Sequence, residues 1–90
     1  MSLRIVFTPN AWQEYDAWLR HDLKMARRIS RLIHDVQRDP EGTGIGKPEL
    51  LKGPLSGWCS RRINDEHRLI CRIRGDDMEI AACHGHYSGK

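Results

Sequence analysis

An α+β domain is what this sequence predicts, on three observations. A β-branched apolar run stands near the start, two stretches with three- and four-residue apolar spacing follow it, and past residue 57 the period switches to two. Strand, helix, helix, then a run of strands is the order in which a helix pair covers one face of an antiparallel sheet. At 90 residues the chain has the length of one domain, so a single domain over 1–90 is expected.

The elements follow in chain order. Leu3, Arg4, Ile5, Val6 and Phe7 read as a strand closed by Thr8-Pro9. The Thr8 hydroxyl can cap a helix, and Pro9 at its first position loses nothing by lacking an N–H. Ala11, Trp12, Tyr15, Trp18 and Leu19 then recur on one helical face, a stripe with the character of core rather than of a base-stacking platform. Asp22 is placed to cap a second helix, in which Met25, Ala26, Ile29, Leu32, Ile33 and Val36 keep the period, so the two helices make a hairpin. Lys24, Arg27, Arg28, Arg31 and Arg38 fall mostly on the opposite face, and Asp39-Pro40 stops the helix because proline disfavours helical backbone before it. Glycine and proline leave 41–48 without a period, so it is a loop. Its Gly44-Ile45-Gly46 follows no strand and precedes no Lys-Ser/Thr pair, which excludes a phosphate-cradling P-loop. Segments 58–63, 67–73 and 78–83 are separated by turn-forming Asn64-Asp65-Glu66 and Arg74-Gly75-Asp76-Asp77, which gives three antiparallel strands in a meander. The helices cover one face of that sheet and leave the other open.

Composition narrows the function classes. With 39% hydrophobic and 30% charged residues the chain is globular rather than disordered. No run nears the roughly 18 apolar residues of a membrane span, and no secretory leader pattern is present, so no membrane role and a cytoplasmic location are expected. Three cysteines without a CxxC pair read as reduced core thiols. The formal charge of +3 and a pI near 9.0 favour an anionic partner, and the excess of arginine over lysine suits phosphate.

Alternation puts Trp58, Ser60 and Arg62 on one side of their strand and Cys59, Arg61 and Ile63 on the other. In the next strand His67, Leu69, Cys71 and Ile73 oppose Arg68, Ile70 and Arg72. With the apolar row under the helices, Arg62, Arg68 and Arg72 point outward, Arg62 beside Arg68 across the hairpin. Adjacent like charges destabilise a sheet. Either a bound anion compensates them or Glu49, Glu66 and Glu79 do, and the pattern supports both readings. His84-Gly85-His86 next to Cys83 lacks the fourth ligand and the paired spacing of a closed zinc site, so no metal or other cofactor is expected. Nothing marks an activated thiol.

Four segments carry a resemblance that spans nearly the whole chain. They are Gly46-Lys47-Pro48-Glu49-Leu50-Leu51-Lys52, Leu55-Ser56-Gly57-Trp58-Cys59-Ser60-Arg61-Arg62-Ile63, Glu66-His67-Arg68-Leu69, and Ala81-Ala82-Cys83 followed by His86-Tyr87. Together they resemble the YoeB toxins, a branch of the RelE group of bacterial toxin–antitoxin ribonucleases. The resemblance implies two helices on an antiparallel sheet and a metal-independent endoribonuclease. Its reaction is cleavage of mRNA in the ribosomal A site by attack of a ribose 2′-OH on the adjacent phosphodiester, which inhibits translation. By position it implies Glu49 as general base, Arg68 as transition-state stabiliser, His86 as general acid, Tyr87 as the aromatic that orients the substrate, and Lys52 and Arg62 as phosphate holders. It further implies a YefM-like antitoxin, a homodimer, the 30S ribosomal A site with its mRNA, and operator DNA only in complex with antitoxin.

The implied chemistry is self-consistent, because in-line cleavage needs a proton acceptor, a proton donor and cations around a phosphorane. Arginines near His86 disfavour its protonated form, so RNA phosphates are expected to restore it in the complex. The competing reading is a module that uses the same arginines to bind RNA, or DNA together with an antitoxin, without cutting. Two features depart from the family pattern. His84 and Gly85 stand where many members have a basic residue and a tyrosine, and Ser88-Gly89-Lys90 follow the tyrosine.

Overall fold

Apolar spacing and turn chemistry set most of the element boundaries in the computed structural model, which describes residues 3–40 and 44–85. In order these are β1 (Arg4–Phe7), α1 (Pro9–His21), α2 (Leu23–Arg38), β2 (Glu49–Leu50), a 3₁₀ turn (Gly53–Leu55), β3 (Cys59–Arg62), β4 (Arg68–Arg74) and β5 (Asp77–Ala82). The Thr8 hydroxyl accepts the Ala11 N–H at 3.1 Å, so α1 begins as its Thr-Pro start predicts. Asp22 lies between the helices, but its side chain makes no cap bond, and its carbonyl instead accepts the Met25 and Ala26 amides in the first turn of α2. The second helix buries Met25, Ala26, Ile29, Leu32, Ile33 and Val36, as the period requires. Each large apolar side chain fully buried there contributes roughly 1.5–3 kcal/mol.

The sheet order is β1-β5-β4-β3-β2. The β3-β4-β5 meander is antiparallel, with Gly75-Asp76 as a two-residue turn between β4 and β5. The left-handed backbone of Gly75 (φ 57°) suits a residue without a side chain. In contrast to an all-antiparallel sheet, β1 adds in parallel to β5, so the five-stranded sheet is mixed. The helix hairpin carries the chain from β1 across the sheet to β2 at the opposite edge, and the meander then brings β5 back beside β1.

Two expectations are corrected. Of the α1 stripe, Ala11 is buried and Tyr15 and Trp18 pack on the core, but Trp12 and Leu19 are 53% and 42% exposed. Trp12 instead lies edge-on to Phe7 at 5.6 Å on the surface. The far face of the sheet is not bare either. Leu51, Ile70 and Ala82 form a second small core there, joined by Leu55, Trp58 and Ala81, so the turn after β2 folds across that face.

Candidate active site

Strand register gathers the sequence-predicted residues. Arg62 pairs with Arg68 across the β3–β4 hairpin, as alternation predicts, and Glu49 pairs with Ser60. Paired residues share a sheet face, so Glu49, Arg62 and Arg68 lie on one side, across three strands about 10 Å wide. The two-residue β2 that delivers Glu49 is too short to show a period, and a reading that placed a loop at 41–48 and strands only past residue 57 missed it. Glu49 is exposed on this edge strand. Lys52 is exposed at the start of the 3₁₀ turn. His86 and Tyr87 lie outside the described residues.

The arginines of this face differ in their partners. Arg68 faces the predicted way but is not outward in the sense of solvated, since only 6% of it is exposed. Its Nη1 donates to the carbonyls of Asn64 (2.8 Å) and His67 (3.1 Å). Arg72 is neutralised by Glu79, its partner in β5, at 2.6 Å, and its guanidinium sits 4.2 Å above the Trp58 ring. That realises the glutamate reading for Arg72. For Arg62 and Arg68 it does not hold, because among the described residues no carboxylate lies within ion-pair distance of either. The same holds for Glu49 and basic side chains. Among the described residues, then, two guanidinium groups without a carboxylate partner share this face with the Glu49 carboxylate, an arrangement whose positive charge can attract an anion.

Beneath it, on the other face of β3, sits a polar centre that sequence reasoning missed. Arg61 is 3% exposed, and its Nη1 donates to Asp35 Oδ2 at 2.5 Å and to the Ile45 carbonyl at 3.1 Å. Asp35 also accepts from Arg38 and from the Ile45 amide. Arg61 first, then Arg38 and the Ile45 amide, outweigh burial and hold the Asp35 carboxyl below its ordinary value of 3.8. Gly44 and Gly46 make room beside this centre. A Cβ on Gly44 would stand 1.7 Å from the Asp35 carboxylate, and Gly46 (φ 87°) places no side chain where its carbonyl must accept the Arg62 amide at 2.6 Å. The signal was present in the sequence, since Arg61 alternates with apolar Cys59 and Ile63, and Asp35 falls among Leu32, Ile33 and Val36. The three cysteines are free thiols, with Cys71 and Cys83 buried and Cys59 half-buried.

Fold and site together define a small α+β domain that carries an arginine pair and a carboxylate on one sheet face. A family model described as YoeB-like toxin of bacterial type II toxin–antitoxin system matches residues 7–87. Toxin YoeB of Mycobacterium bovis is 53% identical over 81 residues, 90% of this chain and 94% of that protein. Among solved structures, a YoeB/ParE toxin from Agrobacterium tumefaciens superposes with a TM-score of 0.91 at 40% identity, covering 94% of this chain and all of that one. YoeB of Staphylococcus aureus, solved as a dimer, gives 0.90 at 41% identity with 97% and 100% covered, and it is also solved in complex with YefM. The chain therefore belongs to the YoeB-like toxins of bacterial type II toxin–antitoxin systems.

Proposed function

We propose that this chain is a ribosome-dependent endoribonuclease that cuts mRNA in the A site and thereby stops translation. The observation that carries the reading is the Arg62–Arg68 pair, unneutralised among the described residues and sharing a face with Glu49. The sequence resemblance to the family supports, by position, His86 as the acid and Tyr87 as the aromatic. In the proposed reaction the Glu49 carboxylate takes the 2′-OH proton and the 2′-oxygen forms its bond to phosphorus. The bond from phosphorus to the 5′-oxygen then breaks as His86 gives that oxygen a proton. A 5′-OH end and a cyclic phosphate, opened later to a 3′-phosphate, are left. Arg68 faces the charge that builds on the phosphorane, Lys52 and Arg62 hold flanking phosphates, and Tyr87 offers a flat surface to an unstacked base.

The same reading assigns the whole chain, 1–90, to one domain acting in the cytoplasm as a homodimer. Its antitoxin is a YefM-like protein, as for the S. aureus toxin, and the family resemblance adds operator DNA, bound only with that antitoxin. Primer extension on mRNA in a translation reaction tests the assignment. Wild type should cut, and His86→Ala and Glu49→Ala should each slow cutting by about 10²–10⁴-fold. Undiminished cutting by both variants would remove the assigned roles, and no cutting by wild type would favour a binding module. A histidine titration by NMR, with and without a phosphate-bearing RNA analogue, should show His86 holding its proton to higher pH in the complex; an unchanged titration removes the RNA phosphates from its activation.

A further inference from the structure

The segment just before His86 is held by directed hydrogen bonds from two elements. From α1, the Glu14 carboxylate accepts the Cys83 amide at 2.7 Å, and the Trp18 indole N–H donates to the Cys83 carbonyl at 2.9 Å. From the start of β4, His67 Nδ1 accepts the Gly85 amide at 2.8 Å, while the Arg68 amide donates to the Gly85 carbonyl at 2.9 Å. Two consecutive residues thus grip both polar groups of Gly85, whose φ of 97° suits a residue with no side chain. An imidazole that accepts through Nδ1 carries its proton on Nε2, so the bond fixes one tautomer. The His67 ring is 8% exposed and wedged edge-on to Trp18 at 4.9 Å, with the His84 ring 4.5 Å away.

We infer that His67 is a positioning residue for the cleavage reaction, its ring nitrogen fixing Gly85, the residue that precedes His86 in the sequence. This rests on the functional reading above, in which His86 is the acid. Because the Arg68 amide holds the other side of Gly85, the residue that precedes the proposed acid and the arginine of the site meet at one strand start. General-acid catalysis needs that registration, since a displacement of about 1 Å costs on the order of 10²-fold in rate.

The test separates ring packing from the acceptor. His67→Phe keeps an aromatic ring against Trp18 but removes the acceptor, whereas His67→Asn places an amide oxygen where Nδ1 stood. His67→Phe should lower kcat on ribosome-bound mRNA by about 10²-fold with little change in KM. His67→Asn should recover at least about tenfold of that loss. Gly85 amide exchange, read by NMR on the whole protein, should quicken in His67→Phe and slow again in His67→Asn. Should the phenylalanine variant fail to fold, His67→Leu against His67→Asn carries the same contrast. Wild-type kcat in His67→Phe, equal losses in both variants, or Gly85 exchange indifferent to residue 67 would each overturn the inference. If exchange follows the acceptor but wild-type protein cuts nothing, the nuclease reading has failed and the positioning role falls with it. Failure of the clamp alone is recognised by Gly85 exchange that ignores residue 67 in a protein that cuts.

Discussion

On one face of β3 the Arg61 guanidinium is buried and bonded to the Asp35 carboxylate and the Ile45 carbonyl, whereas on the other face its neighbour Arg62 stands exposed beside Arg68. Consecutive arginines in one strand point to opposite faces because the strand period is two. What differs is the partner each face supplies. A buried charge is tolerable only when paired and hydrogen-bonded, so α2 and the glycine loop close around Arg61 and use it up. No carboxylate among the described residues meets Arg62 in this way, which leaves its guanidinium free to take a phosphate. The number of arginines therefore says less about anion binding than which carboxylates lie within reach of each one.

Substitutions that break this contrast should have very unequal effects. Removing Arg61 takes the buried partner from the Asp35 carboxylate and leaves it only the exposed Arg38 and the Ile45 amide, and Arg61→Met is expected to lower Tm by roughly 15 °C or more. Gly44→Ala should act in the same direction without touching either charge, because its Cβ collides with Asp35. Arg62→Leu should leave Tm within a few degrees of wild type while weakening RNA binding. Its log–log salt slope should flatten by about 0.7, the share of one neutralised phosphate on a single strand. Thermal unfolding followed by circular dichroism and an RNA-binding salt titration measure the two. A stable Arg61→Met or a salt slope unchanged in Arg62→Leu would erase the distinction between the faces.

The same contrast explains what was legible in the sequence. Period reports which face a residue takes, and it placed Arg62 next to Arg68, Leu69 and Cys71 toward the helices, and the apolar row of α2 inward. It does not report what lies above a face. Arg68 is buried because its own hairpin and the Gly85 segment cover it, and Trp12 is exposed because nothing among the described residues is folded over that side of α1. The two residues of β2 carry no period at all, and the parallel docking of β1 is a tertiary choice invisible in a four-residue run. Of the site, the arginine register followed from alternation. The roles of Glu49 and His86 came only from resemblance, since proton transfer leaves no periodic trace.

A smaller effect follows from pH. The Asp35 carboxyl titrates below its ordinary 3.8 in the folded state, chiefly through Arg61, so the unfolded chain binds the proton more readily. The stability that this pair contributes is fully present above about pH 4 and fades as pH falls through the lower folded-state value. Acid unfolding of wild type should therefore steepen below about pH 4, and Asp35→Asn should lose that part of the slope. Equal acid slopes in the two proteins would mean that Asp35 is not the carboxylate that acid strikes.

The smallest expected effect probes whether the Arg61 face stays closed. Cys59 and Cys71 are paired across β3 and β4 on that face. Burial, then the neighbouring Cys59, pushes the Cys71 thiol up to about 12, with Arg61 pulling slightly the other way. Burial and Glu14 do the same for Cys83, also to about 12. At about pH 8 only on the order of 10⁻⁴ of either is thiolate, the form that attacks an alkylating reagent. Iodoacetamide on the folded protein, followed by peptide mass mapping, should therefore mark half-buried Cys59 well before Cys71 or Cys83, and denaturant should level the three. Gly44→Ala should raise the Cys71 rate more than the Cys83 rate, because Cys71 neighbours Arg61 of the ion pair that the new methyl group displaces, whereas Cys83, in the same core, lies against Ala11 and Glu14 of α1. Equal acceleration at both thiols would mean that the variant loosens the whole domain rather than the Arg61 end of the core.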